Sequence, residues 1–287
     1  MADYQYITHE SFDDNSIVRL KMNRPEVRNA QNIGMLVELN DAFLKAEADD
    51  DVKVVIFGGH GKSFSAGHDL GTPVGRAETH FRSKKPGAEG RMRFEWEYFL
   101  EYTQRWRDLR KITIAQVQGH CLAGGIMTCW SCDLIVAGQD AVFADMIGTR
   151  LGMCGAEFFA HPWEFGARKA KELLLTGDSI SADEAHRLGM VSKVFPNETL
   201  EEDTLNFARR IAQRPSVTSL LIKESVNQTM DNQGFYNALR ACFTLHQINH
   251  SHWADVTKGE SVIGTPEFGV PAEWGAMKHA EKAVPGE

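Results

Sequence analysis

The chain has 287 residues, 43% of them apolar and 24% charged, with a formal net charge of −8. That length can bury a sizeable core, and an acidic balance without a run of basic residues argues against nucleic acid or an anionic membrane surface as the partner. No stretch of about 18 consecutive apolar residues occurs, and the opening MADYQYITHE lacks a basic region followed by an apolar core, so neither a membrane span nor a signal peptide is expected and the expected location is the cytoplasm.

Residues 16–23 alternate apolar and polar side chains as a half-buried strand does, and Arg24-Pro25-Glu26 breaks the pattern. Met35, Leu36, Leu39, Phe43 and Leu44 then recur at helical spacing in an amphipathic helix that ends in the charged cluster 47–51. Residues 52–59 form a continuous apolar run, the pattern of a buried parallel strand. Residues 71–90, with Gly, Pro, Ser and Lys and little apolar content, predict a long loop or mobile lid. A helix is expected over 91–109, turning Phe94, Phe99, Trp106 and Leu109 to the core. A strand over 113–117, a turn over 119–125, a short apolar helix over 126–132 and strands over 134–137 and 141–144 follow. Ser181-Ala182-Asp183-Glu184 has the form of a capping box opening a helix that closes near Gly189, and 191–195 is another short strand. From Leu200 to about His250 the pattern is helical, and Gly264, Pro266, Gly269 and Pro271 make the tail irregular. Strand-turn-helix alternation defines an α/β core over residues 1–198, followed by a helical C-terminal region over 199–287.

The five cysteines form an odd set without disulfide spacing, which suits a reducing compartment. Cys129-Trp130-Ser131-Cys132 spells a redox spacing but falls inside an apolar helix, so buried thiols are expected. His246, His250 and His252 are the nearest metal-binding candidates. His246 and His250 share a helix face at i, i+4, yet no carboxylate partner accompanies them, so a solvated helix face is expected and no metal site is assigned.

Two glycine-containing turns each leave a buried strand and enter a helix: Phe64-Ser65-Ala66-Gly67-His68-Asp69-Leu70 and Gly119-His120-Cys121-Leu122-Ala123-Gly124-Gly125. Neither fits GxxxxGK[ST] or GxGxxG, so the glycines do not announce a nucleotide site. Glycine admits close backbone approach, and a helix start offers unpaired amides. Two such turns side by side would aim two N–H groups at one developing oxygen charge.

These segments, 64–70 and 117–133, resemble the paired oxyanion-hole segments of the enoyl-CoA hydratase/isomerase, or crotonase, family. Arg24-Pro25 with Asn29-Ala30 resembles the family's opening motif. Leu175-Thr176-Gly177-Asp178, Ser181-Ala182-Asp183-Glu184-Ala185 and Gly189-Met190-Val191 resemble its later signature, so the resemblance covers about residues 15–230 in family order. It implies a crotonase (ClpP/crotonase-like) fold, a spiral of ββα units, with an acyl-CoA thioester as substrate and no cofactor beyond its coenzyme A moiety. It also implies homotrimers or hexamers built through the C-terminal helices, with which Phe235, Leu239, Phe243 and Leu245 are compatible, though they equally suit packing within one subunit. Carried over by position, the hole amides belong to His68 and Gly124. The backbone around Arg28, Ala30, Ala66, Asp69 and Leu70 would line the adenine and pantetheine path, although Asp69 also suits a cap. The His68 ring adds a titratable group beside the thioester.

Hydratases of the family place one glutamate three residues after the hole glycine and a second after the next strand; here those positions hold Met127 and Ile147 or Gly148. The nearest substitutes are Asp145 and Glu157, with His120 and His161 behind them. Asp145 equally suits a strand end, and Glu157 a helix cap. Three activities stay open: a hydratase/isomerase-type enzyme with proton transfer rebuilt around Asp145 or Glu157, for which a single carboxylate favours isomerisation; a thioester or carbon–carbon bond hydrolase on the same hole; and a non-catalytic acyl-CoA binder.

Overall fold

The computed structural model describes residues 4–82 and 87–256. Strands β1 (Ile7–Phe12) and β2 (Ile17–Met22) are followed by a 3-10 turn (Pro25–Val27), α1 (Ile33–Ala48), β3 (Val54–Gly59), α2 (Pro73–Arg82) and α3 (Gly87–Glu95). A π-helical stretch (Trp96–Glu101) leads into α4 (Tyr102–Arg107), β4 (Ile112–Val117), β5 (His120–Leu122) and α5 (Gly124–Trp130). Then come β6 (Leu134–Gly138), β7 (Val142–Ala144), α6 (Ile147–Leu151), α7 (His161–Thr176), β8 (Ile180–Ser181), α8 (Ala182–Leu188) and β9 (Lys193–Phe195). Three helices end the described chain: α9 (Leu200–Ala212), α10 (Ser216–Asn232) and α11 (Phe235–Val256).

Six strands form one sheet in the order β1-β2-β3-β4-β6-β9, parallel except for the β1–β2 pair, and β5-β7-β8 form a smaller sheet. Ser65 makes a parallel bridge to Cys121 in β5, and β5 pairs parallel with β7. Successive turns of the chain therefore add β3, β4 and β6 to the large sheet and Ser65, β5 and β7 to the small one. This is the spiral of ββα units that the motifs imply.

The central strands β2, β3 and β4 are buried on both faces, and β3 is the continuous apolar run that such burial favours. Val18, Leu20, Met22, Val55, Phe57, Ala115 and Val117 share a core with α1 and with the ring cluster of Phe43, Phe57 and Trp106. Their alternating neighbours Ile17, Val54, Ile56, Ile112, Ile114 and Val136 meet Ala208, Leu205 and Ile211 of α9. The C-terminal region thus completes the sheet's second face, while α11 packs on α3.

Residues 71–90 differ from the expected loop, because α2 and α3 occupy much of that span. The reason is polar. The Glu78 carboxylate accepts the Ile33 amide at 2.6 Å, the Gly34 amide at 3.1 Å and Asn32 Nδ2 at 3.1 Å, so α2 is held at the start of α1 by charge rather than by an apolar stripe. The helix expected over 91–109 passes through the π-helical stretch. The capping box at 181–184 is as expected, with Ser181 Oγ accepting the Glu184 amide at 3.2 Å. All five cysteines are free; Cys121 and Cys129 are buried as expected while Cys132, Cys154 and Cys242 are half-buried, and desolvation pushes the Cys129 and Cys132 thiols well above the usual range. Among the described residues no helix is long and apolar enough to cross a membrane. The tail glycines and prolines at 264–271 lie outside the described residues.

Candidate active site

The two glycine turns lie side by side. Gln31 N donates to Gly67 O at 2.8 Å and Asp69 N donates to Gln31 O at 3.0 Å, a parallel bridge that uses the groups flanking residue 68 and turns the His68 N–H to the opposite side. Ser65 and β5 are joined by Ser65 N to His120 O at 3.0 Å and Leu122 N to Ser65 O at 2.9 Å. Ala123 then adopts φ 47° and ψ −115°, a conformation that costs a non-glycine residue about 1–3 kcal/mol. That bend turns the chain out of β5 and into α5, whose first residue is Gly124. As a first-turn amide, Gly124 N–H has no intrahelical acceptor. Neither it nor the His68 N–H has a partner among the described residues.

Gly67 makes this approach possible. It has φ +92°, and a Cβ there would lie 2.9 Å from Leu122 O and 3.1 Å from Gly124 N. A Cβ on Gly124 would in turn lie 2.7 Å from His68 Cε1, so the imidazole rests directly on that glycine. Asn29, fully buried at φ 52°, straps the first turn: its Nδ2 donates to His60 O and Ser63 O, both at 2.9 Å, and to Phe64 O at 3.1 Å.

The turns open on a cavity of about 690 Å³ lined by both segments, by α3 with the π-helical stretch, and by α6 and α11. Alternating imidazoles and carboxylates run along its wall. The His68 ring stacks on Phe99 with centroids 3.8 Å apart, and its Nε2 lies 3.2 Å from Glu157 Oε2. Glu157 Oε1 lies 3.6 Å from His246 Nε2, which is 3.5 Å from Glu95 Oε2; Glu95 Oε1 is 3.2 Å from His250 Nε2.

Burial alone would raise the Glu157 carboxyl, but the charge and hydrogen bond of His68 and the charge of His246 outweigh burial and the opposing charge of Glu95, and hold it below the usual range. Glu95 is likewise held well below the usual range, because the imidazoles of His246 and His250 beside it outweigh its burial. Burial opposes a charge on His246, yet the neighbouring Cys154 and the Glu95 and Glu157 carboxylates beside it push it up to about 11.

Of the residues singled out from sequence, His68, Ala66, Asp69, Leu70 and Glu157 line the cavity. The Asp69 carboxylate is already engaged, 2.8 Å from Arg24 Nη1 and accepting the Thr72 amide at 2.9 Å, in keeping with its capping alternative. Arg28 O accepts the Ala66 amide at 2.9 Å, and Ala30 O accepts Arg24 Nη1 at 2.7 Å, so both carbonyls hold the turn together.

Asp145 lies behind the wall. Its Oδ2 accepts the Ala156 amide at 2.7 Å and pairs with His161 Nε2 at 2.9 Å, and its Oδ1 accepts the Ile147 amide at 3.2 Å. Those donors overcome burial and hold its carboxyl below the usual range, fixing the segment next to Glu157. Met127 is wholly buried in the main core.

Sequence reasoning missed Glu95, Arg91 and Arg150 on the wall. It found the spacing of His246 and His250 but placed them on a solvated face. His246 is in fact 2% exposed, because α11 folds back on α3 and brings the carboxylate of Glu95 to it from the other half of the chain.

The sequence matches the family model described as Enoyl-CoA hydratase/isomerase over residues 13–261. It is 55% identical over 296 aligned residues to EchA13 of Mycobacterium tuberculosis, named as a candidate enoyl-CoA hydratase, covering 98% of this chain and 92% of that one. It is 33% identical over 234 residues to the mitochondrial enoyl-CoA hydratase of Pongo abelii, covering 80% of this chain and 76% of that one. Its fold matches a crystal structure of a candidate enoyl-CoA hydratase from Mycobacterium smegmatis with a TM-score of 0.82 at 41% identity, covering 90% of this chain and 99% of the other.

Proposed function

The chain belongs to the enoyl-CoA hydratase/isomerase family, and on that premise we propose that it catalyses proton transfer on an enoyl-CoA thioester whose oxygen is held, as it gains enolate charge, by the N–H groups of His68 and Gly124. The observation that carries this reading is the contact of the two turns, with Gly67 and Gly124 close enough that no side chain fits between them. Two fixed amides aimed at one oxygen stabilise the charged state more than the neutral carbonyl, and each such donor is worth about 2.7–4 kcal/mol.

Glu157 is the proposed acid/base, since the two positions where the family's hydratases carry glutamate hold Met127 and Ile147 or Gly148. Its carboxylate lines the cavity, is kept ionised, and is oriented by His68 Nε2. One carboxylate suffices for water addition. Glu157 takes a proton from water as the oxygen bonds to the β carbon, and returns that proton to the α carbon of the enolate. Double-bond migration is the second reading, favoured by the same single carboxylate, which would take a proton from one carbon and return it to another.

The backbone around Arg28, Ala30, Ala66, Asp69 and Leu70 is proposed to line the adenine and pantetheine path, with no cofactor beyond coenzyme A. A homotrimer or hexamer in the cytoplasm is the proposed state.

Incubating the full chain with 2-enoyl- and 3-enoyl-CoA esters and identifying the products tests this. A 3-hydroxyacyl-CoA or a shifted double bond is expected, and Glu157→Gln should lower kcat by about 10²–10⁴-fold with little change in KM. Release of free CoA would point instead to hydrolysis. Binding without turnover would leave a non-catalytic acyl-CoA binder.

A further inference from the structure

We propose that Glu95, His246 and His250 form a binding site for one borderline divalent metal ion, of which zinc is the type, in the wall of the cavity. Their ligand atoms all lie within 4.8 Å of one another. His246 Nε2 lies 3.5 Å from Glu95 Oε2 and His250 Nε2 lies 3.2 Å from Glu95 Oε1, so the two imidazoles flank the two oxygens of one carboxylate. Two imidazoles and a carboxylate suit zinc and its neighbours rather than magnesium or calcium, which prefer all-oxygen sets.

Three further observations point to a ligand. His246 is 2% exposed, yet its Nε2 has no hydrogen-bond partner and faces the gap between the carboxylates. Its Nδ1 lies 2.7 Å from Gly155 O, the outer hydrogen bond that fixes a metal-binding imidazole with the other nitrogen presented, and Gln247 Nε2 steadies Glu95 in the same way. Finally, Glu95 and Glu157 are two buried carboxylates around one imidazole, with Glu157 Oε1 3.6 Å from His246 Nε2 at the open side of the triad. A divalent ion on neutral imidazoles supplies both compensating charges.

The site does not depend on the reaction proposed above, and its test is spectroscopic. Chelator-treated full chain is titrated with Co²⁺ while its visible d–d absorption is followed, and Zn²⁺ is then added to displace it. One equivalent per chain is expected, with affinity reduced at least about 100-fold in Glu95→Gln and in His250→Ala and unchanged in His252→Ala. Circular dichroism verifies the fold of each variant, and His250, at the cavity rim with a side chain 23% exposed, keeps the test valid should Glu95→Gln fail to fold. Absence of stoichiometric Co²⁺ binding in the parent chain overturns the proposal. So does a folded His250→Ala that binds Co²⁺ as tightly as the parent.

Discussion

Gly67 shows how much of the site depends on one missing methyl group. At φ +92°, with Leu122 O and Gly124 N 2.9 Å and 3.1 Å from the place a Cβ would take, Gly67→Ala must push the turns apart. Steady-state kinetics should show kcat/KM reduced about 10²–10³-fold, the effect of misplacing one hole donor, while the chain stays folded. Asp145 makes the opposite prediction, in stability rather than chemistry. Its carboxyl is lowered from the ordinary 3.8, so it stabilises the fold above that pH, and the contribution is lost as pH falls through the folded value. Asp145→Asn should cost about 3 kcal/mol in urea unfolding at neutral pH, a deficit that narrows below about pH 4. That the turn carrying His68 and the substitute carboxylate Glu157 would reach one cavity was legible at this scale, because both lie in short segments near the motif residues. The burden carried by Asp145 was not, since its donors at Ala156 and His161 lie 11 and 16 residues on.

Among the elements, those recognised from sequence are the ones whose pattern reports burial. Strands β2, β3 and β4 are buried at every position; the apolar run marked β3, whereas the alternation of β2 predicted a half-buried strand, and Arg19 and Lys21 are instead buried in ion pairs with Glu201. Strand β1 is mostly half-buried or exposed and left no such run. Helix α2 escaped for another reason, because Glu78 docks it onto the first amides of α1. Glu78→Ala should therefore speed hydrogen exchange at Ile33 and Gly34 and destabilise the chain by about 1–3 kcal/mol, the cost of charged acceptors removed from backbone donors. Unchanged exchange at those amides would show that α2 is held by something else.

For the whole molecule, the C-terminal helices do more than the sequence division at residue 198 suggests. Helix α9 covers one face of the sheet, and α11 brings His246 and His250 to the cavity. Helix α10 leaves Val217, Leu221, Ile222 and Val226 between 56% and 61% exposed, the kind of face that supports the proposed self-association. Sedimentation should give a trimer or hexamer for the parent chain and smaller species for Leu221→Glu with Val226→Glu; a parent chain that sediments as a monomer contradicts that assembly.

A crystal structure of the chain with a bound acyl-CoA shows whether the two amides meet at one oxygen. The thioester oxygen is expected about 2.7–3.1 Å from both His68 N and Gly124 N, with Glu157 facing the α and β carbons. A thioester oxygen bound away from either amide would contradict it.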